Sequence, residues 1–448
     1  MEPLNFGLLK EWLEEKKFFR VKDALTNRNE VDIAEFLEDL PPEKMAVVFR
    51  MLPKEMAADV FAELSVETQQ TIIESVTDTE ISQIMNDLFV DDMVDMLEEL
   101  PANVVKRVLR NATPEKRAMI NQFLRYPEDS AGSIMTAEFV DLRKTMTVGA
   151  AIRKIRSTGL NKETVYTCYV TDANRRLEGE VSVKDLLMAE DEAGIESVMD
   201  ANMISVVTTE NQEETAKLFS KYGLLSIPVV DEENRLVGIV TVDDAVEVME
   251  QEATEDFERM AAMTPSEKPY LKTSVWALAR HRILWLLVLM ISAMITGGVL
   301  QKYEAAFAAL PLLVTFIPML TDTGGNAGSQ SATLIIRGMA LSEIRMKDAL
   351  KVLWKELRVA LLVGLVLSLV NYLRLRWMYP GNEMIALTVV ISLFITVVLA
   401  KIVGGLLPMA AKMIHADPAI MASPLITTIV DAFSLVIYFS IAQRLLHI

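Results

Sequence analysis

Between residues 20 and 125 the apolar positions recur at helical spacing in short blocks. Met45, Val48, Phe49 and Leu52 form one such block. New blocks open about every dozen residues, at Pro42, Pro53, Val66, Asp78, Asp91, Pro101 and Pro114. Pro, Ser, Thr or Asp stands at each opening, as expected at a helix N-cap or first turn. Each block is too short to be stable alone, so the pattern predicts an all-α superhelix in which neighbours bury one another's apolar faces.

The period changes over residues 133–255. Two segments share one order of helix, strand, turn, strand and helix. The first runs through 148–158, VYTCYVTD, ANRRL and EGEVSVKD; the second through 213–222, LLSIPVVD, ENRL and VGIVTVDD. The strand parts alternate with a period of two. Each copy places Gly, then Ser or Thr, then Asp at matching positions: Gly179, Ser182 and Asp185, and Gly238, Thr241 and Asp244. After the second copy, 243–263 reads as a strongly acidic amphipathic helix with Val246, Met249, Ala253 and Phe257 roughly on one side.

Five apolar runs follow, at 283–300, 305–321, 359–373, 384–407 and 419–446. Each is long enough to span a bilayer, the third if Lys355 and Arg358 snorkel. The second run ends in TDTGGNAGSQSATLIIRG, with Pro311 and Pro318 before it. This crowd of small and hydrogen-bonding groups predicts irregular backbone satisfied by surrounding protein or by a water-filled cavity. In the fifth run the one charged side chain between 418 and 443 is Asp431. If the helix enters at Ala419, Asp431 lies about 18 Å along its axis, near mid-membrane. A carboxylate at that depth marks an ion or proton route, or else an Asp hydrogen-bonded to a neighbouring helix or held neutral by burial. Lys401 is unusual in a cation path and is expected to snorkel or to pair with an acid.

Charge divides the 448 residues in two. The whole chain carries −18, while 271–448 holds 15 Lys/Arg against 8 Asp/Glu, so residues 1–270 carry −25. An acidic half of that kind excludes nucleic acid as a partner, since phosphates need a basic footprint. Cys168 is the single cysteine, and His281, His415 and His447 are far apart. Neither a disulfide framework nor a Cys/His metal motif is available, and no nucleophile–base arrangement or phosphate loop indicates an enzyme. The N-terminal stretch MEPLNFGLLKEWLEEKK lacks a signal-peptide core, so the soluble half is expected in the cytoplasm. Nine basic residues fall on the N-terminal side of the five runs and four on the other, which predicts a cytoplasmic N-terminus and an external C-terminus in the cell membrane.

The duplicated unit resembles a tandem pair of CBS domains. That likeness implies nucleotide contacts at Ser182, Lys184, Asp185 and Thr241, with adenine stacking near Pro228. The same Ser/Thr and Asp residues also suit plain helix capping, with Glu180 an unusual strand residue beside Gly179, and both readings stay open. With the TDTGGNAGSQSATLIIR run, the later ADPAIMASPLITTIVDA run and the order of segments, the whole chain resembles the MgtE family of magnesium channels. The resemblance implies a multidomain homodimer. Its parts would be a helical N-domain (1–130), two CBS repeats (131–195 and 196–243), a connecting or plug helix (244–270) and a five-helix transmembrane domain (271–448). It implies pore contacts at Asp431 and Asp417, and at Ser423 and Thr427 near the start of the last helix; the family's Asn before the helix-opening Pro is Ser423 here. It also implies cytosolic Mg²⁺ sensing by Asp91, Asp95, Asp244, Glu247, Glu252, Glu255 and Asp256. One sensor position of the family falls near Gly223, which offers no side-chain ligand.

The resulting expectation is a Mg²⁺-selective importer of the cell membrane, open to other divalent cations in principle, closed by cytosolic Mg²⁺ and modulated by ATP at the CBS pair. The rivals are a Na⁺- or H⁺-coupled divalent-metal exchanger and a membrane-anchored nucleotide sensor.

Overall fold

The computed structural model describes residues 5–266, 270–304, 310–421 and 423–447. It divides into two compact units, Met1–Met249 and Glu250–Ile448.

In the first unit, ten short helices run from Phe6–Glu14 to Pro114–Phe123 among the described residues. The expected openings at Pro42, Val66, Asp78 and Pro114 coincide with helix starts, and the other three lie within one residue. The reason is local. Thr77 and Glu80 form a reciprocal capping box, Asn29 and Thr113 accept first-turn amides, and Pro42 and Pro114 occupy the first turn. Buried Val21, Phe36, Val48, Phe61, Ile81 and Val108 join one core that continues into Val206, Phe219, Ile227 and Val240. The helical stack and the second α/β repeat therefore share apolar packing.

Each repeat builds a three-stranded sheet. β1 (Asp141–Leu142) pairs parallel with β2 (Thr167–Thr171), and β2 pairs antiparallel with β3 (Leu177–Ser182). β4 (Val206–Val207), β5 (Ser226–Val230) and β6 (Leu236–Thr241) repeat the pattern. The turns expected at ANRRL and ENRL place Arg175 and Asn234 at φ 65° and 61°. The two turns bond to each other: Leu177 N donates to Asn234 O, and Leu236 N to Arg175 O. Tyr169 Oη and Ser226 Oγ, 2.6 Å apart, add a buried link. Gly238 is needed because a Cβ there would lie 2.6 Å from Met135 Sδ and 2.8 Å from the Thr136 carbonyl.

Among the described residues the second unit holds five long helices: Val275–Lys302, Ile317–Ala340, Ala349–Met378, Glu383–Met413 and Ser423–Leu446. By length and apolar composition Val275–Lys302, Glu383–Met413 and Pro418–Leu446 can each cross a membrane. Val275–Lys302 has no buried residue and is apolar around its circumference, as a lipid-facing helix is. The expected second span begins on 305–309, outside the described residues. Two expectations are corrected here. The run from Thr321 to Gly338 is not irregular: it is continuous α-helix, preceded by a 3₁₀ turn at Pro311–Phe316. In an apolar surrounding, helix satisfies every backbone group of such a run, while its glycines serve close packing. The last helix begins at Ser423, after a separate 3₁₀ turn at Pro418–Met421, so Asp431 sits about 12 Å along it rather than about 18 Å.

Candidate functional site

The pore candidate is built where Ile317–Ala340 meets Ser423–Leu446. A Cβ on Gly324 would lie 2.7 Å from Thr396 Cγ2 and 2.9 Å from Val430 Cγ1; one on Gly328 would lie 2.7 Å from Ile426 Cγ2. Gly325 faces the Thr427 methyl in the same way. The glycine run thus seats the last helix over the two turns that carry Asp431. Asp431 is half-buried, and its Oδ1 is buried with no hydrogen-bond partner. Asp322, on the glycine-rich helix, acts on Asp431 electrostatically. Sequence reading registered Asp322 only as one polar group in a crowded run; its spacing to Asp431 depends on the helix pairing. Thr427 Oγ1 donates to Pro424 O at 3.2 Å. Ser423 opens the helix, and its side chain lies outside the described ones.

Asp417 stands apart from this group in its bonding. Its Oδ1 accepts from Ala419 N at 2.7 Å, which fixes the turn before the last helix. Its Oδ2 is paired with the Arg259 guanidinium, and Arg259 also holds Glu255. An expected pore ligand and an expected sensor residue are therefore brought together, with an arginine between them. Among the other expected sensors on this stretch, Glu252 and Asp256 have interactions of their own. Lys401, expected to snorkel or pair with an acid, does not snorkel: it is 4% exposed, inside the helical core.

In the first unit, Asp91, Asp92 and Asp95 lie on the helix Val90–Glu99, and Asp244 and Glu247 on the helix Val242–Met260. Burial, with Asp244 adding like charge, pushes Asp92 up to about 7. Burial, then Asp92 and Glu247, pushes Asp95 up to about 7. Asp244 is raised to about 6 by burial, although Thr241 hydrogen-bonds to it, and Glu163 to about 7 by burial and then Asp243 and Asp244. Asp91 is raised well above the carboxylate range by burial and by Asp92, and its Oδ1 is buried without a partner. Lys116 donates its ammonium to the carbonyls of Asn86 and Leu88 and acts on Asp92 through space. Asp92 and Glu163 belong to the cluster by position but escaped sequence reading, because only the packed fold brings 92, 163 and 244 together. Among the described residues no three of these groups are already gathered closely enough to hold a metal ion. The cluster is an assembly of mutually repelling acids with an orphaned oxygen.

At the nucleotide candidates, Ser182 Oγ accepts from Asp185 N at 3.1 Å and donates to Asp185 Oδ2 at 2.6 Å. Asp244 Oδ2 accepts both the Thr241 hydroxyl, at 2.5 Å, and the Thr241 amide. Both Ser/Thr–Asp pairs therefore act as helix caps. Lys184 and Asp185 are exposed, and Pro228 is buried within β5, opposite Ile239. Glu180 pairs with Tyr169 in the sheet, and burial with Asp200 nearby raises its carboxyl.

Comparison with known proteins matches three models along the chain. They are the MgtE intracellular N domain over 28–129, the CBS domain over 131–192 and 195–251, and the divalent cation transporter MgtE over 317–441. A magnesium transporter MgtE of Thermus thermophilus is 36% identical over 443 residues, covering 98% of both chains. One of Bacillus subtilis is 32% identical, covering 93% of this chain and 94% of its own. Among solved structures, the cytosolic domain of the Mg²⁺ channel MgtE in complex with ATP is 35% identical over 55% of this chain and all of its own, with a TM-score of 0.52. The soluble part of a magnesium transporter is 27% identical, covering 55% of this chain and 98% of its own, with a TM-score of 0.53. With the helical stack, the CBS pair and the carboxylate-bearing last helix in the same order, the chain belongs to the MgtE family of magnesium transporters.

Proposed function

We propose that this magnesium transporter works as a homodimer whose two Asp431 carboxylates meet across a two-fold axis and hold a hydrated Mg²⁺. Magnesium dehydrates reluctantly and favours octahedral geometry with several waters retained. One subunit offers too few ligands; two carboxylates with the Thr427 hydroxyls can grip the water shell, and C₂ is the commonest assembly. The observation that carries this reading is the Asp431 oxygen left without a hydrogen-bond partner on the helix packed against the glycine run. Ser423 joins as a hydroxyl at the mouth of the helix. The N-terminus lies in the cytoplasm, the C-terminus outside, and the helices that cross the membrane meet lipid on their apolar faces.

Closure is assigned to the acid cluster. Asp91, Asp95, Asp244 and Glu247, joined by Asp92 and Glu163, repel one another until cytosolic Mg²⁺ bridges them and favours the compact state. Only differential binding to the two states shifts such an equilibrium. Glu252 and Asp256 follow on the same helix and are assigned to sensing with them. Glu255 and Asp417 already share Arg259, so at that point the guanidinium stands in for a bridging ion. ATP is proposed at the CBS pair, on the exposed edge formed by Ser182, Lys184 and Asp185 and around Thr241, with Pro228 in the apolar wall; the ATP complex of a related cytosolic domain supports it.

The decisive experiment is Mg²⁺ flux into liposomes. Asp431→Asn keeps the shape and removes the charge, and is expected to lower flux at least tenfold with normal folding. Unchanged flux would refute the pore assignment. Flux that follows a Na⁺ or pH gradient in the unsubstituted protein would replace the channel by an exchanger.

A further inference from the structure

Three helices of the second unit meet at a buried polar chain that the pore does not use. Lys401, on Glu383–Met413, donates its ammonium to Ser331 Oγ at 3.3 Å and to the Ala327 carbonyl at 3.4 Å. Ser331, on Ile317–Ala340, donates in turn to Glu356 Oε2 at 2.6 Å, on Ala349–Met378. Lys401, Ser331 and Glu356 are 4%, 1% and 8% exposed. The approach is close because small residues allow it. A Cβ on Gly404 would run into the Gly328 carbonyl, and one on Gly405 would lie 3.0 Å from Glu356 Cγ.

A peptide carbonyl, a hydroxyl and a carboxylate are hard oxygen donors, the set that holds alkali and alkaline-earth cations. Here the carbonyl and the hydroxyl face an ammonium, a compact point charge of +1 at the end of a flexible stem, and the carboxylate stands behind the hydroxyl. One carboxylate against one such charge is neutral, which a buried ionic group in a bilayer requires. We propose that Lys401 is a tethered cation filling an oxygen-lined monovalent-cation site made by Ala327, Ser331 and Glu356. It neutralises Glu356 and keeps free ions out of this part of the bundle, so that cations have their carboxylate partner at Asp431 alone among the buried acids of these helices.

Removing the ammonium should uncover the site. The full-length transporter, purified in detergent, is melted in NaCl and in N-methylglucamine chloride at equal ionic strength. Lys401→Ala is expected to melt below the unsubstituted protein in N-methylglucamine and to regain several degrees with Na⁺, saturably. The unsubstituted protein and the double variant Lys401→Ala/Glu356→Gln should show no such Na⁺ response. A Lys401→Ala response equal to that of the unsubstituted protein, or one that survives Glu356→Gln, would overturn the proposal. If Lys401→Ala alone yields no folded protein, recovery of folded protein in the double variant supports charge compensation, and its failure overturns it.

Discussion

Arg259 shows how one side chain can change what an acidic pair does. Its guanidinium joins Asp417, in the turn before the last helix, to Glu255, one turn earlier on the connecting helix. A carboxylate already paired with an arginine gains less from an ion than one left bare, since the charge is partly compensated before the ion arrives. Replacing Arg259 with Met keeps the apolar stem and removes the compensation. Asp417 and Glu255 then repel unless a divalent cation takes the vacated position. Amide hydrogen exchange over residues 252–260 reads this. In the unsubstituted protein, protection there is expected to vary little between Mg²⁺-free buffer and millimolar Mg²⁺. In Arg259→Met it is expected to fall without Mg²⁺ and return with it. Loss of protection that Mg²⁺ does not restore would show that the arginine only packs. No feature of the sequence signals this pairing, because 158 positions separate Arg259 from Asp417.

At the scale of elements, backbone contact between helices is set by a few glycines. Gly404 faces the Gly328 carbonyl and leaves no room for a methyl, whereas Gly297, on Val275–Lys302, has nothing within 4 Å of an added Cβ. Gly404→Ala must push two helices apart, at about 1–3 kcal/mol for overpacking of this kind. Gly297→Ala meets open space and removes a poor helix former, for neutral to about 1 kcal/mol of stabilisation. Thermal unfolding in detergent should separate the two in sign, and equal shifts would contradict the close crossing. The same contrast explains what sequence could and could not reveal. The short helices of the first unit were legible because their starts are written locally, in residues such as Thr77, Glu80, Pro42 and Pro114. The two CBS sheets were legible from alternation and from matched turns. The run from Thr321 to Gly338 was misjudged because Gly, Asn, Ser and Thr favour turns in water, whereas among apolar helices the same residues let backbones touch. Asp431 was legible as a lone charge in an apolar run, but the influence of Asp322 on it and the burial of Lys401 follow from helix pairing.

For the whole molecule, a charge of −25 on residues 1–270 has to be reconciled with compact folding, and the acid cluster is where the conflict is sharpest. Asp92, Asp95 and Glu163 are raised to about 7 and Asp244 to about 6, burial being the first cause in each. A folded-state value above the unfolded one means that the folded state holds its protons more tightly. The stability from this source is complete below the ordinary carboxylate range and is lost as pH rises through about 6 to 7. Without divalent cation, the first unit is therefore expected to loosen between pH 5.5 and about 8. Mg²⁺ should act in the opposite sense. At low pH it must displace protons from these carboxylates; at high pH it meets them already ionised and relieves their repulsion. Protection of residues 1–265 from protease by millimolar Mg²⁺ should accordingly be slight near pH 5.5 and large near pH 8. Asp95→Asn removes one of the raised groups, so it should flatten the pH dependence and stabilise the Mg²⁺-free unit at pH 8. A Mg²⁺ effect of equal size at both pH values would mean that the ion binds elsewhere, and the cluster would then be only a strained acidic surface.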